Sequence, residues 1–188
     1  MIDLLLTLSL LTSFDEVKFS DIQKQLYDSS CGYASVSTVM SNWYGEEVEE
    51  LDLINESISV TEGSDFKYTT SLKDLMTIFE NHGYYVKAFK MDYKALISAS
   101  EKYAPLIVHF VQEDKGHFLV VLYADEDIVL VSDPSSGTHT MFRKEFEKEF
   151  SGNVLLVHND NLDSDSLEAV IGEYTERLSY LQKSQRLL

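Results

Sequence analysis

Along the first half of the chain, apolar positions recur at the three-and-four spacing of an α-helix. Cys31 to Tyr44 places Ala34, Val36, Val39, Met40 and Trp43 on that pattern, and Gly45 closes it. Glu46 to Ile58 reads as a second, acidic helix. Ser71 opens a third, with Asp74 as its capping partner, Leu72, Leu75, Met76, Ile78 and Phe79 as its apolar face, and Asn81, His82 and Gly83 as its stop. From Tyr84 the period changes. Tyr84–Phe89, Leu106–Val111, His117–Tyr123, Ile128–Ser132, Thr138–Phe142 and Val154–Val157 are short β-branched or aromatic runs. Turn formers such as Asp114-Lys115-Gly116 and Asp125-Glu126-Asp127 separate them. A last helix is predicted from about Asp165, capped by Asp165 with Glu168, with Leu167, Val170, Ile171, Tyr174, Leu178 and Leu181 along one face. Helices first and strands afterwards predict an α+β domain, a helical part packed on an antiparallel sheet.

Composition narrows the functional classes. A length of 188 residues with 44% apolar and 25% charged side chains fits one domain with a core of its own. Eight glycines and two prolines leave no linker at which to split it. With 15 Lys and Arg against 32 Asp and Glu, the net charge of −17 excludes a nucleic-acid partner, because counterion release needs clustered cations. The single cysteine excludes an internal disulfide and a multi-cysteine zinc site. No run reaches the roughly 18 apolar residues of a membrane-spanning helix. Met1 to Phe14 has the length of a signal-peptide h-region, but Asp3 is acidic, the first cation is Lys18, and Ser13 is the best cleavage position. It reads either as a short, atypical export signal, placing the protein in the periplasm or outside the cell, or as an N-terminal core helix or weak anchor of a cytoplasmic protein. The expected division is therefore residues 1–13 as this apolar segment, 14–160 as the main domain and 161–188 as an amphipathic helix. That helix offers either a packing face or a docking surface. Ser59 to Thr70 reads as a surface loop or a mobile flap, and Glu46-Glu47-Val48-Glu49-Glu50 as a solvated helix face.

Cys31 is the first candidate for chemistry. A lone cysteine is often a small buried hydrophobe, but Tyr27-Asp28-Ser29-Ser30 breaks the periodicity just before it, so the sulfur is expected at a helix N-terminus. Unpaired N–H groups there favour a thiolate. Gly32 is expected to leave room for a substrate backbone. A thiolate nucleophile needs a base, and five histidines are available. His82 at a helix end, His158 in a polar exit and His139 in a polar turn read as structural or surface residues. His109 and His117 fall on adjacent predicted strands, and His117 begins its strand next to a loop. Asp133 ends the following strand, which would bring it to the same sheet edge as His117; the alternative is that Asp133-Pro134-Ser135-Ser136-Gly137 is only a good turn.

Three segments in this order, Gln25-Leu26-Tyr27-Asp28-Ser29-Ser30-Cys31-Gly32-Tyr33-Ala34, Gly116-His117-Phe118-Leu119-Val120-Val121 and Asp133-Pro134-Ser135-Ser136-Gly137, resemble the C39 peptidases. These are the papain-like double-glycine leader peptidases of bacteria, and the resemblance runs from about Lys18 to His158. It implies a papain-like cysteine peptidase fold, with Cys31 as nucleophile, His117 as general base and later acid, and Asp133 orienting the imidazole. Gln25, six residues before the cysteine, takes the place of the oxyanion-hole glutamine, whereas Gln23 is expected to be a solvated surface residue. The implied partners are a peptide or protein substrate with a Gly-Gly leader and a secretion system. No metal or organic cofactor is implied. Ser30 stands where transporter-fused members commonly carry aspartate, and the chain has no P-loop, so it is similar to the free-standing branch that accompanies functional-amyloid export. Loss of catalysis, leaving a binding module for exported cargo, is the alternative reading.

Overall fold

The computed structural model describes residues 18–60, 70–113 and 115–185. The expectations for residues 1–13, for nearly all of the predicted flap, and for the side chains of Leu178 and Leu181 fall outside what is described. Six strands, β1 (Tyr85–Lys90), β2 (Leu106–Gln112), β3 (Lys115–Ala124), β4 (Ile128–Asp133), β5 (Gly137–Phe142) and β6 (Phe150–His158), form one sheet. Their order is β1-β6-β2-β3-β4-β5, and every pairing is antiparallel.

One face of the sheet is covered by α1 (Cys31–Thr38) with the π-helical turn Val39–Trp43 that continues it, α2 (Glu50–Val60) and α3 (Leu72–Asn81). Val36, Met40, Trp43, Leu53, Leu75 and Phe79 pack there against Ile107, Val120, Leu122 and Leu155. The other face carries α4 (Tyr93–Tyr103) and α5 (Arg143–Glu149), whose Tyr93, Leu96 and Phe146 meet Val108, Phe110, Leu119, Val121 and Val131. The α+β architecture expected from the sequence is present, with this second helical layer added. Strands buried on both faces read as near-continuous apolar runs, which is how β3 and β4 read. Neither α4 nor α5 is legible from periodicity. The seven residues of α5 include one apolar anchor, Phe146, and α4 is announced mainly by Asp92, whose carboxylate accepts from the Ala95 N–H at 2.8 Å.

Two of three helix starts differ from expectation for physical reasons. The second helix begins at Glu50 because the preceding irregular segment is tied to α1 and its extension: the Val48 carbonyl accepts from Ser37 and Ser41 at 2.6 and 3.0 Å. The third helix has the predicted capping box between Ser71 and Asp74. The last helix, α6 (Ser164–Gln185), is capped by Asp163 rather than Asp165, through the Ser166 N–H and hydroxyl at 3.0 and 2.7 Å. Its Leu167, Val170, Ile171 and Tyr174 pack on the helical core. No helix among the described residues is long and apolar enough to cross a membrane.

Candidate active site

Cys31 is the first residue of α1, and α1 packs directly on β3. The helix has no side-chain cap, because the Ser30 hydroxyl is turned back to Tyr27, accepting from its N–H at 3.0 Å and donating to its carbonyl at 2.9 Å. The first N–H groups of a helix have no partner within it, and the Ser30 side chain does not take them here. The Phe118 N–H points at the sulfur, with 3.4 Å between nitrogen and Sγ.

His117 and Asp133 come together through strand pairing. His117 sits near the start of β3 and faces Phe110 of β2 in register, and Asp133 is the last residue of β4. Antiparallel pairing puts the start of β3 beside the end of β4, and His117 Nε2 lies 2.9 Å from Asp133 Oδ1. That leaves Nδ1 as the ring nitrogen available to Cys31. Asp133 Oδ1 also accepts from the Ser135 N–H and hydroxyl, each at 2.7 Å, so the turn holds the carboxylate in place. Gly137 closes this turn at φ 83°, where a Cβ would collide with the backbone of Lys18.

The electrostatics follow from that geometry. Burial by itself lowers the His117 pKa, but hydrogen bonds to Asp133 and Cys31 and the charges of both outweigh it, raising the imidazole to about 10. Burial by itself raises Asp133, while the His117 hydrogen bond and charge and the two Ser135 bonds hold it well below the usual carboxylate range. The imidazolium is thus stable between a carboxylate and a sulfur, with the His117 and Asp133 side chains 15% and 13% exposed.

Gln25 borders the same cleft from an irregular loop. Its backbone N–H donates to the Pro134 carbonyl at 3.0 Å, and its Nε2 donates to the Tyr27 carbonyl at 2.9 Å. An amide nitrogen has two N–H donors, so one remains for a ligand. Gln23, expected at the surface, is half-buried, with its N–H on Thr38 Oγ1 at 3.0 Å. The cleft, about 1030 Å³, is lined by Gln25, Cys31, His117 and Phe118, with Asp28 and Glu113 among its acidic groups. Among the described residues no group of His, Cys, Asp and Glu could hold a metal ion.

Several local expectations are corrected. The space over Gly32 is taken by the Thr70 hydroxyl, into which an added Cβ would run, so close helix-to-loop packing and not substrate access explains this glycine. His82 does not cap carbonyls: its two ring nitrogens lie 2.6 Å from Glu46 and 3.1 Å from Glu56. The acidic run is a solvated face only in part: Glu47 and Glu49 are exposed. Glu46 also accepts from the Tyr84 hydroxyl at 2.9 Å, and Glu50 is fully buried. His109 lines the cleft and packs against Phe118 in a tilted arrangement, 5.0 Å between centroids with 56° between the ring planes. Burial first, then the charges of His117 and Lys90, lower its pKa, which fits a neutral structural ring more than a second base. Glu50, read from the sequence only as part of that solvated face, carries a contrary signal: it shares the i, i+3, i+4 stripe of Leu53 and Ile54, where an acid is out of place.

A cysteine, an acid-supported imidazole and an amide donor meeting between a helical layer and an antiparallel sheet define a site of the cysteine-peptidase type. The chain belongs to the peptidase C39 family, whose profile matches residues 20–161. It is 26% identical over 80% of its length to a Pseudomonas fluorescens protein named "Probable functional amyloid protease FapD". The chain spans 66% of the length of that relative. A further relative, the sublancin-168-processing and transport ATP-binding protein SunT of Bacillus subtilis, is 26% identical over 74% of this chain and 19% of its own. Among solved structures, the peptidase domain of Streptococcus ComA superposes with a TM-score of 0.64 at 20% identity, covering 74% of this chain and 98% of that one. A double glycine motif protease from an AMS/PCAT transporter, in complex with its leader peptide, gives 0.56 at 21% identity over 72% and 89%. These structures share the fold.

Proposed function

We propose that this chain is a cysteine endopeptidase that cleaves a leader or exported peptide after small residues of the Gly-Gly type. The observation that carries the reading is the His117 ring, with Nε2 2.9 Å from Asp133 Oδ1 and a hydrogen bond to Cys31, lining the same open cleft as the sulfur. Cys31 attacks the peptide carbonyl. The remaining Gln25 amide N–H and the Cys31 backbone N–H receive the negative oxygen of the tetrahedral intermediate, a role typically worth about 3–4 kcal/mol per donor. His117 gives its proton to the leaving amine, and water then hydrolyses the thioester with His117 as base. Asp133 keeps the ring oriented and supports its charge. The double-glycine protease among the structural neighbours and the amyloid protease among the relatives support the substrate class. The apolar segment 1–13 supports action on the export side of a bacterial membrane, which N-terminal sequencing of protein recovered from periplasm and cytoplasm checks.

The test is cleavage of a peptide carrying a Gly-Gly motif by the parent and by Cys31→Ala. The expected result is cleavage by the parent and binding without cleavage by the variant. Equal cleavage by both would refute the mechanism, and binding without cleavage by the parent would favour a catalytically silent binding module.

A further inference from the structure

Glu50 is the first residue of α2 and 0% exposed, yet it carries a carboxyl group. Its neighbours on the same helix face, Leu53 and Ile54, are apolar and equally buried, so packing alone would be served by another hydrocarbon side chain. One oxygen, Oε1, has no hydrogen-bond partner among the described residues; the other, Oε2, accepts from the Leu26 N–H at 2.8 Å. The Ser30 hydroxyl lies against the same carboxyl, and burial, the dominant influence, raises the Glu50 pKa.

These contacts converge on the loop that carries Gln25. Leu26 is the next residue, held by Glu50. Tyr27 is held at its N–H and carbonyl by Ser30. The Tyr27 carbonyl in turn anchors Gln25 Nε2 at 2.9 Å. The far side of the loop is fixed by the Gln25 N–H on Pro134, beside Asp133. The described part of the loop around Gln25 has no helix or strand to stiffen it, and the Glu50 carboxyl reaches it from the adjoining helix.

We propose that Glu50 is a positioning residue for the oxyanion-stabilising amide of Gln25, acting with Ser30 through the backbone of Leu26 and Tyr27. This rests on the peptidase reading for its catalytic consequence, but not for its structural one. Without the carboxyl the Leu26 N–H loses its acceptor, the loop relaxes, and the carboxamide leaves its place. Cys31 and His117 are held by other elements and keep their geometry.

Two readouts test it. In kinetics on a Gly-Gly peptide, Glu50→Leu lowers kcat tenfold or more with KM within twofold, and Glu50→Gln, which keeps an acceptor oxygen, recovers most of the loss. In a Gln25→Ala background, Glu50→Leu costs less than a further twofold, and the rate of Cys31 alkylation is unchanged throughout. Should Glu50→Leu not fold, Ser30→Ala is run through the same cycle. The second readout needs no turnover. The Gln25 side-chain NH₂ pair is well separated in nuclear magnetic resonance spectra of the parent and Glu50→Gln, and moves to the free-amide position in Glu50→Leu or Ser30→Ala. Equal losses with and without Gln25, an unaltered kcat, or an unmoved Gln25 amide would each overturn the proposal. A parent that alkylates but does not cleave would instead count against the peptidase reading, with the amide signal still deciding this one.

Discussion

Replacing Asp133 with asparagine removes a charge from His117 while leaving an acceptor oxygen for Ser135. Because the hydrogen bond and charge of Asp133 are main causes of the raised imidazole pKa, that value falls from about 10 toward the ordinary 6.5, readable by titrating the ring resonances. The variant therefore enters the neutral range with its ring partly deprotonated, and kcat drops about a thousandfold or more, the scale associated with loss of a triad carboxylate. A ring titration unchanged from the parent would show that Asp133 belongs only to its turn. Gln25→Ala separates the other half of the site: one donor lost from the oxyanion lowers kcat about 10²- to 10³-fold, with little change in KM or in thiol alkylation. A raised KM at constant kcat would place Gln25 in ground-state binding instead.

At the scale of elements, the turn between β4 and β5 and the start of α1 carry the precision of the site. Gly137→Ala forces a Cβ onto a positive φ and against the Lys18 backbone. It is expected to destabilise the fold by about 1–2 kcal/mol and to lower activity through Asp133, measured by chemical denaturation alongside kcat. An unchanged midpoint would mean that the turn rearranges freely. How much of this was legible in the sequence depended on whether local chemistry or distant packing decided it. Ser71 with Asp74, and the turn residues Asp133 to Gly137, announce themselves because capping and turn geometry are local. The pairing of His117 with Asp133 was readable because antiparallel strands bring the start of one beside the end of the next. Glu50, Thr70 and His109 were not. Their roles come from contacts with residues distant in the chain, and periodicity says nothing of which oxygen faces which N–H. Helix α5 escaped for a related reason, since one phenylalanine packed on β2 and β4 holds it and no stripe exists to be read.

For the whole molecule, the His117–Asp133 pair links stability to pH. Asp133 is depressed, so its contribution is present above the ordinary carboxylate value of 3.8 and is lost as pH falls. His117 is raised, so its contribution is complete below 6.5 and is lost as pH rises toward about 10. The difference in unfolding free energy between the parent and Asp133→Asn is therefore largest between these two ordinary values, and shrinks on both sides. Denaturation curves at a series of pH values check this, and a difference independent of pH would contradict it. The net charge of −17 adds self-repulsion that weakens as carboxylates protonate, an effect common to both proteins that cancels in the comparison.

The central claim is a preformed pair between the cysteine and the histidine, and Cys31 is the chain's single thiol, so alkylation by iodoacetamide reports one site. The rate is followed against pH in the parent and in His117→Ala. The account predicts labelling of the parent that persists into mildly acidic solution, where an isolated thiol is unreactive, and its loss in the variant. A parent rate that climbs only under alkaline conditions and is indifferent to His117 would contradict it.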